Sequence, residues 1–252
     1  MKVYYDIDNL TCKTRSVVSV GSFDGLHRGH QVLIDTLTAK AHELQAQSVV
    51  VTFGNHPRQC IAGSVKLLST TEEKLYLLEK AGVDCVVVLP FDNTMRNLSA
   101  TEFVEQILCQ TLHMVHIIVG YDHRFGRDKE GDIQLLLTEG TQHGFGVTEV
   151  GQQSADGCSV SSTDVREAIS RGDMAYAAKL LGHPYMVCGK WQSRALSLPE
   201  SSKILPPDGI YRVNVEWDCK RATTQATIAD STICIDTTPQ PTSDCDVCIY
   251  FE

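Results

Sequence analysis

The chain has 252 residues and a mass of 27.8 kDa, enough for one large domain or two smaller ones with cores of their own, and too long for a miniprotein held by disulfides. With 22 Lys and Arg against 31 Asp and Glu the net charge is −9 and the pI near 5.4, so a nucleic-acid backbone would meet a repulsive average surface. Apolar runs stay short of the roughly 18 residues a membrane helix requires, and the start MKVYYDIDNL lacks the layout of a signal peptide. A soluble protein of a reducing cytoplasm is expected, with neither nucleic acid nor membrane as partner; its oligomeric state is not read from sequence. The ten cysteines, at 12, 60, 85, 109, 158, 188, 219, 234, 245 and 248, are then expected as thiols. Cys245 and Cys248 form a single CxxC, too little for a zinc or redox site.

Along the first 150 residues, short β-branched runs alternate with helix-like stretches. VVSVG (17–21) precedes HQVLIDTLTAKAHEL (30–44); SVVVTF (48–53) follows; TTEEKLYLLEKAG (70–82) leads to CVVVLPF (85–91). SATEFVEQIL (99–108) has a capping pattern from Ser99 to Glu102 and precedes VHIIVG (115–120); GDIQLLLTEGTQHG (131–144) precedes FGVTEV (145–150). Apolar strands alternating with helices predict five parallel-type strands sandwiched between helical layers. Ligands of such sheets gather beyond the carboxyl ends of the strands, so the loops 21–30, 54–59 and 120–127 are expected to point to one mouth. SVSSTD (159–164) opens a helix-like stretch, and a second helix covers 173–182. After Pro184 the pattern changes to strand-like YMVCGKW, IYRVNVEW and TTQATIADSTICID. The fold class is α/β, a Rossmann-like domain over 1–184 followed by a small, truncated β-barrel-like module over 185–252.

In GSFDGLHRGH (21–30) a strand runs through a glycine-rich turn into a helix. Gly21 and Gly29 allow a ligand close to the backbone, and the unpaired amides of a helix start attract anions. His27 and His30, three apart, can face one anion and donate to phosphate oxygens. The spacing is neither a P-loop nor a dinucleotide-binding turn. SSTDVR (161–166) supplies a second helix start, where Ser161 or Ser162 caps the helix or bonds a phosphate and Arg166, four residues past Ser162, can clamp a polyphosphate. GNHPRQ (54–59) offers Asn55, His56 and Arg58, and GYDHRFGR (120–127) offers Asp122, His123, Arg124 and Arg127; a mobile glycine-flanked loop of this kind suits covering a planar phosphorylated ligand. The histidine spacing makes no zinc site.

With HRGH (27–30) and SSTDVR (161–166) the sequence resembles the nucleotidyltransferase superfamily marked by HxGH and SSTxxR. More narrowly, GSFDGLHRGHQVLI, VVTFGNHPR, LSTTEEKLYLLEKAGVD, LPFDNTMRNLSATEFVEQIL, VGYDHRFGRDKEGD, VSSTDVREAISRGD and AAKLLGHPY are similar to the prokaryotic bifunctional riboflavin kinase/FMN adenylyltransferase, or FAD synthetase, family over about residues 14 to 188. The resemblance implies transfer of AMP from ATP to FMN, giving FAD and pyrophosphate, with Mg2+ on the triphosphate. It implies that His27, His30, Ser162, Thr163 and Arg166 hold the ATP phosphates, that Asp24 orients the loop and that Phe23 packs near the nucleotide. It places Asn55, His56, Arg58, Tyr121, His123 and Arg124 on the flavin side.

The sequence departs from the family pattern in its loops and in its tail. GNHP occurs where the family has DPHP, and GYDHRFGR where it has GFDFRFG. The tail occupies the place of the family's kinase barrel, yet 189–213 reads GKWQSRALSLPESSKILPPDGIYRV without PTAN, and the sequence stops short of the full bifunctional length, so riboflavin phosphorylation is expected to be absent. Two other functions fit the same motifs: an adenylyl- or cytidylyltransferase for another phosphorylated acceptor, and a non-catalytic flavin- or nucleotide-binding regulator.

Overall fold

The computed structural model describes residues 1–5, 7, 14–54, 65–152, 154–155, 158–192, 194–198, 202–236, 241 and 244–252. The chain divides into two compact units, one formed by Met1–Phe23, Gly29–Ser64 and Leu75–Gln153, the other by Asp24–Arg28, Val65–Lys74 and Ser154–Glu252. Among the described residues no helix is long and apolar enough to cross a membrane.

The first unit is built on a parallel sheet of six strands: β1 (Lys2–Tyr4), β2 (Ser16–Val20), β3 (Gln47–Phe53), β4 (Cys85–Leu89), β5 (Met114–Gly120) and β6 (Gly146–Val150), in the order β1-β4-β3-β2-β5-β6. The five strands expected from their apolar runs are present. β2 and β4 are buried at every position, as strands covered on both faces must be, and their valines suit the pleat. The sixth, β1, adds a parallel edge against β4; its sequence KVY has no apolar run to announce it.

Helix α1 (Arg28–Glu43) buries Ile34, Leu37 and Ala41 at the three-and-four spacing of an amphipathic helix, and α2 (Thr71–Lys80) precedes β4. A short helix, α3 (Asn93–Asn97), is capped by Asp92, whose carboxylate accepts from Met95 N at 2.8 Å. Ser99 and Glu102 form the expected reciprocal capping box at the start of α4 (Ala100–Glu102). The helix does not continue in α geometry, however. It widens into a π-helix over Phe103–Thr111, with Leu112 N bonding Ile107 O. Helix α5 (Ile133–His143) starts at Asp132, which accepts from Gln134 N and Leu135 N, and ends on Gly144 at φ 76°, the left-handed C-cap only glycine adopts without penalty.

The second unit holds the small hairpin β7 (Ser154–Ala155) and β8 (Cys158–Ser159), helices α6 (Ser162–Ser170) and α7 (Met174–Leu181), and a closed antiparallel barrel. The barrel strands are β9 (Met186–Gln192), β10 (Ala195–Ser197), β11 (Gly209–Trp217), β12 (Lys220–Ala229), β13 (Thr232–Asp236) and β14 (Asp246–Phe251), closing in the order β10-β13-β12-β11-β14-β9. The β-barrel-like module expected at the end of the chain is a closed barrel. Val213, Val215 and Trp217 of β11 and Val247, Ile249 and Phe251 of β14 point inward at alternate positions and join one core with Val165, Ile169 and Leu180 of the helices. The run 223–236, read as one strand-like stretch, is two strands joined at Asp230 and Ser231, both left-handed at φ 48° and 63°. Asp218 and Cys219, at φ 44° and 60°, turn β11 into β12 in the same way.

The expectation that every cysteine is a thiol fails at one pair. The antiparallel register sets Cys248 directly opposite Cys188, with Cα atoms 4.1 Å apart, and the two are joined in a disulfide. The CxxC is not closed on itself, since Cys245 stays a thiol.

Candidate active site

All neighbouring strands of the sheet run parallel, so β2, β3 and β5 end on the same edge. There β2 and β3 give way to Gly21 and Gly54, and β5 ends on Gly120. β2 lies between β3 and β5, where the winding of the sheet reverses direction, the position at which open α/β sheets leave a crevice for ligands. The first residues of these loops thus lie at one edge of the sheet. Asn55, His56 and Arg58 lie outside the described residues.

The turn after β2 is strained. Phe23, Gly25 and Leu26 have φ of 46°, 76° and 41°, a conformation ordinary for glycine and costly for the other two, and such residues gather at functional sites. Gly25 has a second constraint: a Cβ there would stand 2.9 Å from Leu68 Cβ and Cδ1. Its amide donates to Ser69 Oγ at 3.0 Å, and its carbonyl lies 3.1 Å from His183 Nε2.

Asp24, buried in this turn, is the centre of the local network. Its Oδ1 accepts from Leu68 N, Ser69 N and Ser69 Oγ at 3.0, 3.0 and 3.2 Å. Its Oδ2 accepts from Arg166 Nη2 at 2.5 Å. The same guanidinium donates through Nε to Lys66 O at 2.7 Å, so its plane is fixed from two sides. Ser162 Oγ donates to Asp24 O at 3.3 Å. The two sequence motifs, 138 residues apart at this contact, therefore meet within the second unit through Asp24, Ser162 and Arg166.

The choice between Ser161 and Ser162 as cap is resolved by geometry. Ser161 is the N-cap of α6, its Oγ accepting from Asp164 N, while Asp164 Oδ2 accepts in return from Ser161 N and Oγ. Ser162 and Thr163 are the first two helical residues, whose amides have no carbonyl partner within the helix.

His27 is buried, and burial lowers its pKa to about 4, with Asp24 opposing and Arg166 adding to the shift. It is a neutral imidazole at pH 7. In the first unit, His30 lies in the first turn of α1 with its ring edge-on to Phe23, centroids 5.3 Å apart. A Cβ at Gly21 would come within 3.1 Å of the same phenyl ring.

Backbone bonds hold the 120–127 loop at Phe125 and Arg127. Phe125 and Gly131 exchange backbone bonds of 3.2 and 2.9 Å, and Arg127 N donates to Leu98 O. A Cβ at Gly126, where φ is 73°, would meet the backbone of Ala100 at 2.7 Å. His123 stacks on Phe125 at 5.5 Å, and its pKa is lowered to about 4, chiefly by burial. Arg124 Nη1 lies 3.6 Å from Asp132 Oδ2, and Tyr121 is exposed.

Lys66, Leu68 and Ser69 were not among the site residues read from sequence. They act mainly through backbone groups, which leave no residue-type signal beyond the polar LST at the head of α2.

The FAD synthetase family model matches residues 10–164. The chain is 35% identical over 235 residues to the bifunctional riboflavin kinase/FMN adenylyltransferase of Pseudomonas fluorescens, spanning 86% of this chain and 74% of that protein. The chain belongs to the FAD synthetase family. The bifunctional riboflavin kinase/FMN adenylyltransferase of Escherichia coli strain K12 is 32% identical over 229 residues, 85% of this chain and 73% of that one. A solved structure described as a macrolide-efflux protein from Streptococcus pneumoniae superposes with a TM-score of 0.84 at 24% identity, covering 99% of this chain and 88% of the other; it shares the fold of this FAD synthetase family member. The stretch matched by the family model contains His27, His30, Ser162 and Thr163 and ends before Arg166, the residue that geometry ties to Asp24.

Proposed function

We propose that this FAD synthetase family member transfers the adenylyl group of ATP to FMN and does not phosphorylate riboflavin. An oxygen of the FMN phosphate attacks the α-phosphorus of ATP; the new P–O bond forms as the bond to the β-phosphate oxygen breaks, and pyrophosphate leaves with FAD as the other product. No side chain becomes covalently attached, so catalysis rests on positioning and on charge stabilisation. The observation that carries the reading is the fixed guanidinium of Arg166, held by Asp24 and Lys66 O beside the start of α6. In this reading it clamps the triphosphate together with Ser162 and Thr163, while His27 and His30 donate to phosphate oxygens as charge develops.

Mg2+ travels with ATP as part of the substrate. Both oxygens of Asp24 are engaged by Leu68, Ser69 and Arg166, so this carboxylate does not fit a metal ligand set. Tyr121, His123 and Arg124, with Asn55, His56 and Arg58, are assigned to the flavin side on family resemblance. The absence of kinase activity rests on the sequence 189–213, which has no PTAN. The test is a chromatographic and mass-spectrometric assay of purified protein with Mg-ATP and either FMN or riboflavin, with His30→Ala as control. FAD and pyrophosphate from FMN alone, lost in the control, is the expected result; a folded protein inert towards FMN overturns the reading.

A further inference from the structure

In the first unit, outside both motifs, the π-helix and α5 bring three ligating side chains together. Glu105 comes from the π-helix, and Glu139 and His143 stand one turn apart on α5. Only 8% of the Glu139 side chain is exposed. Its Oε1 accepts from Thr101 Oγ1 at 3.3 Å, but its Oε2 is buried without a hydrogen bond. That oxygen lies 3.2 Å from His143 Nε2, and Glu105 Oε1 lies 3.5 Å from the same nitrogen. The three atoms fall within 4.8 Å of one another.

We propose that Glu105, Glu139 and His143 form a binding site for a divalent transition ion of the Zn2+ type. A buried carboxylate oxygen with no donor is costly, and a cation is the group that offsets it. Imidazole nitrogen with carboxylate oxygen is a zinc-type donor set. Bonds of about 2.0–2.1 Å in a tetrahedron place ligand atoms ~3.3 Å apart, which the two distances to His143 bracket. The nitrogen stands close to the Glu139 oxygen without completing a hydrogen bond to it, a spacing that two ligands of one ion adopt. The π-helix is a further mark, since such widened turns recur at functional sites. Cys109, on the same π-helix, lies in the field of the pair: burial first, then Glu139 and Glu105, push its thiol up to about 11. A cation held between the carboxylates would remove that opposition. Bound there, the ion links the π-helix to α5.

The test uses the full chain, stripped with a chelator and titrated with Zn2+ by calorimetry, with ion content measured after dialysis and thermal unfolding followed with and without Zn2+. Because free thiols are zinc ligands in their own right and the chain has several, the readout is the difference from variants. His143→Ala and Glu105→Gln should each bind one equivalent fewer than the parent and lose the part of the Zn2+-dependent rise in Tm that the site supplies. Equal stoichiometry and equal Tm response in parent and variants would overturn the proposal and leave a direct contact of His143 with the two glutamates. If His143→Ala does not fold, Glu105→Gln decides, because that side chain is partly exposed and its loss leaves the α5 core intact.

Discussion

Lys203 and Glu73, 130 residues apart, form an ion pair from which both side chains exclude water completely. The ammonium also donates to Leu68 O at 2.7 Å and Met186 O at 2.9 Å and lies 4.6 Å above the ring of Tyr185. Glu73 in turn accepts from Thr70 N and Cys188 N, both at 2.8 Å. The pair thus ties the 65–74 segment, which supplies the partners of Asp24, to the barrel strand β9, all inside the second unit. Removing one partner leaves a buried charge uncompensated, at a cost of about 3–5 kcal/mol. Lys203→Met is expected to lower the midpoint of urea unfolding accordingly. The double variant Lys203→Met, Glu73→Leu should recover much of the loss, and a single variant within 1 kcal/mol of the parent would show that water or a third group takes over the charge.

Arg166 depends on Asp24 for its orientation. Asp24→Asn keeps the shape and removes the charge that draws Nη2, so the guanidinium loses one of its two fixing points. Removing a donor from a site that stabilises developing charge typically costs on the order of 10²–10³ in rate. Arg166→Ala is expected to fall in that range for FAD formation, and Asp24→Asn to follow it with a smaller loss. Arg166→Lys should not rescue, because one ammonium cannot reproduce two in-plane bonds. Steady-state kcat and KM on variants whose circular dichroism matches the parent will check this.

The sheet was legible because its buried strands must be apolar throughout, and the runs at 17–21, 48–53, 85–91 and 115–120 could be little else. The histidines and SSTDVR could be singled out because strand-end turns and helix starts have residue-type signatures. What stayed hidden has a physical reason in each case. Asp218-Cys219 and Asp230-Ser231 make two-residue hairpin turns without the glycine that usually marks them, so β12 and β13 merged into one stretch. β1 is too short for a pattern. The Cys188–Cys248 bond follows from a register that only the closed barrel defines. The π-helix has an ordinary capping box in front of it and an ordinary amphipathic sequence inside.

Gly25 is held both by its left-handed φ and by the closeness of Leu68. Alanine there must either push Leu68 aside or shift the turn that carries Asp24 and His27. A destabilisation of about 1–3 kcal/mol is expected from strain and overpacking, together with a fall in activity larger than that loss of folded protein explains. A Gly25→Ala variant with parental kinetics would show that the turn tolerates relaxation.

The disulfide between Cys188 and Cys248 closes a span of 60 residues and links β9 to β14. Cross-links over spans of this size typically contribute roughly 2–4 kcal/mol, mostly by restricting the unfolded chain. Oxidised protein is expected to unfold at higher denaturant than protein kept in a thiol reductant, and Cys188→Ser should abolish the difference. Thiol counting under denaturing conditions with and without reductant provides the direct check, since an unchanged count would mean that the pair is not bonded.

His27 links the site to pH. Its pKa falls from 6.5 in the unfolded chain to about 4 in the folded one, so between these values the unfolded state holds the extra proton and stability rises with pH. The contribution is fully present above pH 6.5, is lost as the pH falls through that window, and is gone below about 4. The full shift corresponds to about 3 kcal/mol at 1.36 kcal/mol per pKa unit, an upper figure for a side chain that keeps some contact with solvent. His123 shifts in the same direction, so His27→Gln should remove part of the acid-side slope of unfolding free energy, and His27→Gln with His123→Gln more of it. Urea unfolding of parent and variants at about pH 7 and pH 5 measures this. In the parent the same neutrality means that FAD formation should show no ionisation of His27 near pH 6.5; a kinetic pKa there that disappears in His27→Gln would place the imidazole in a more solvated setting than the one described.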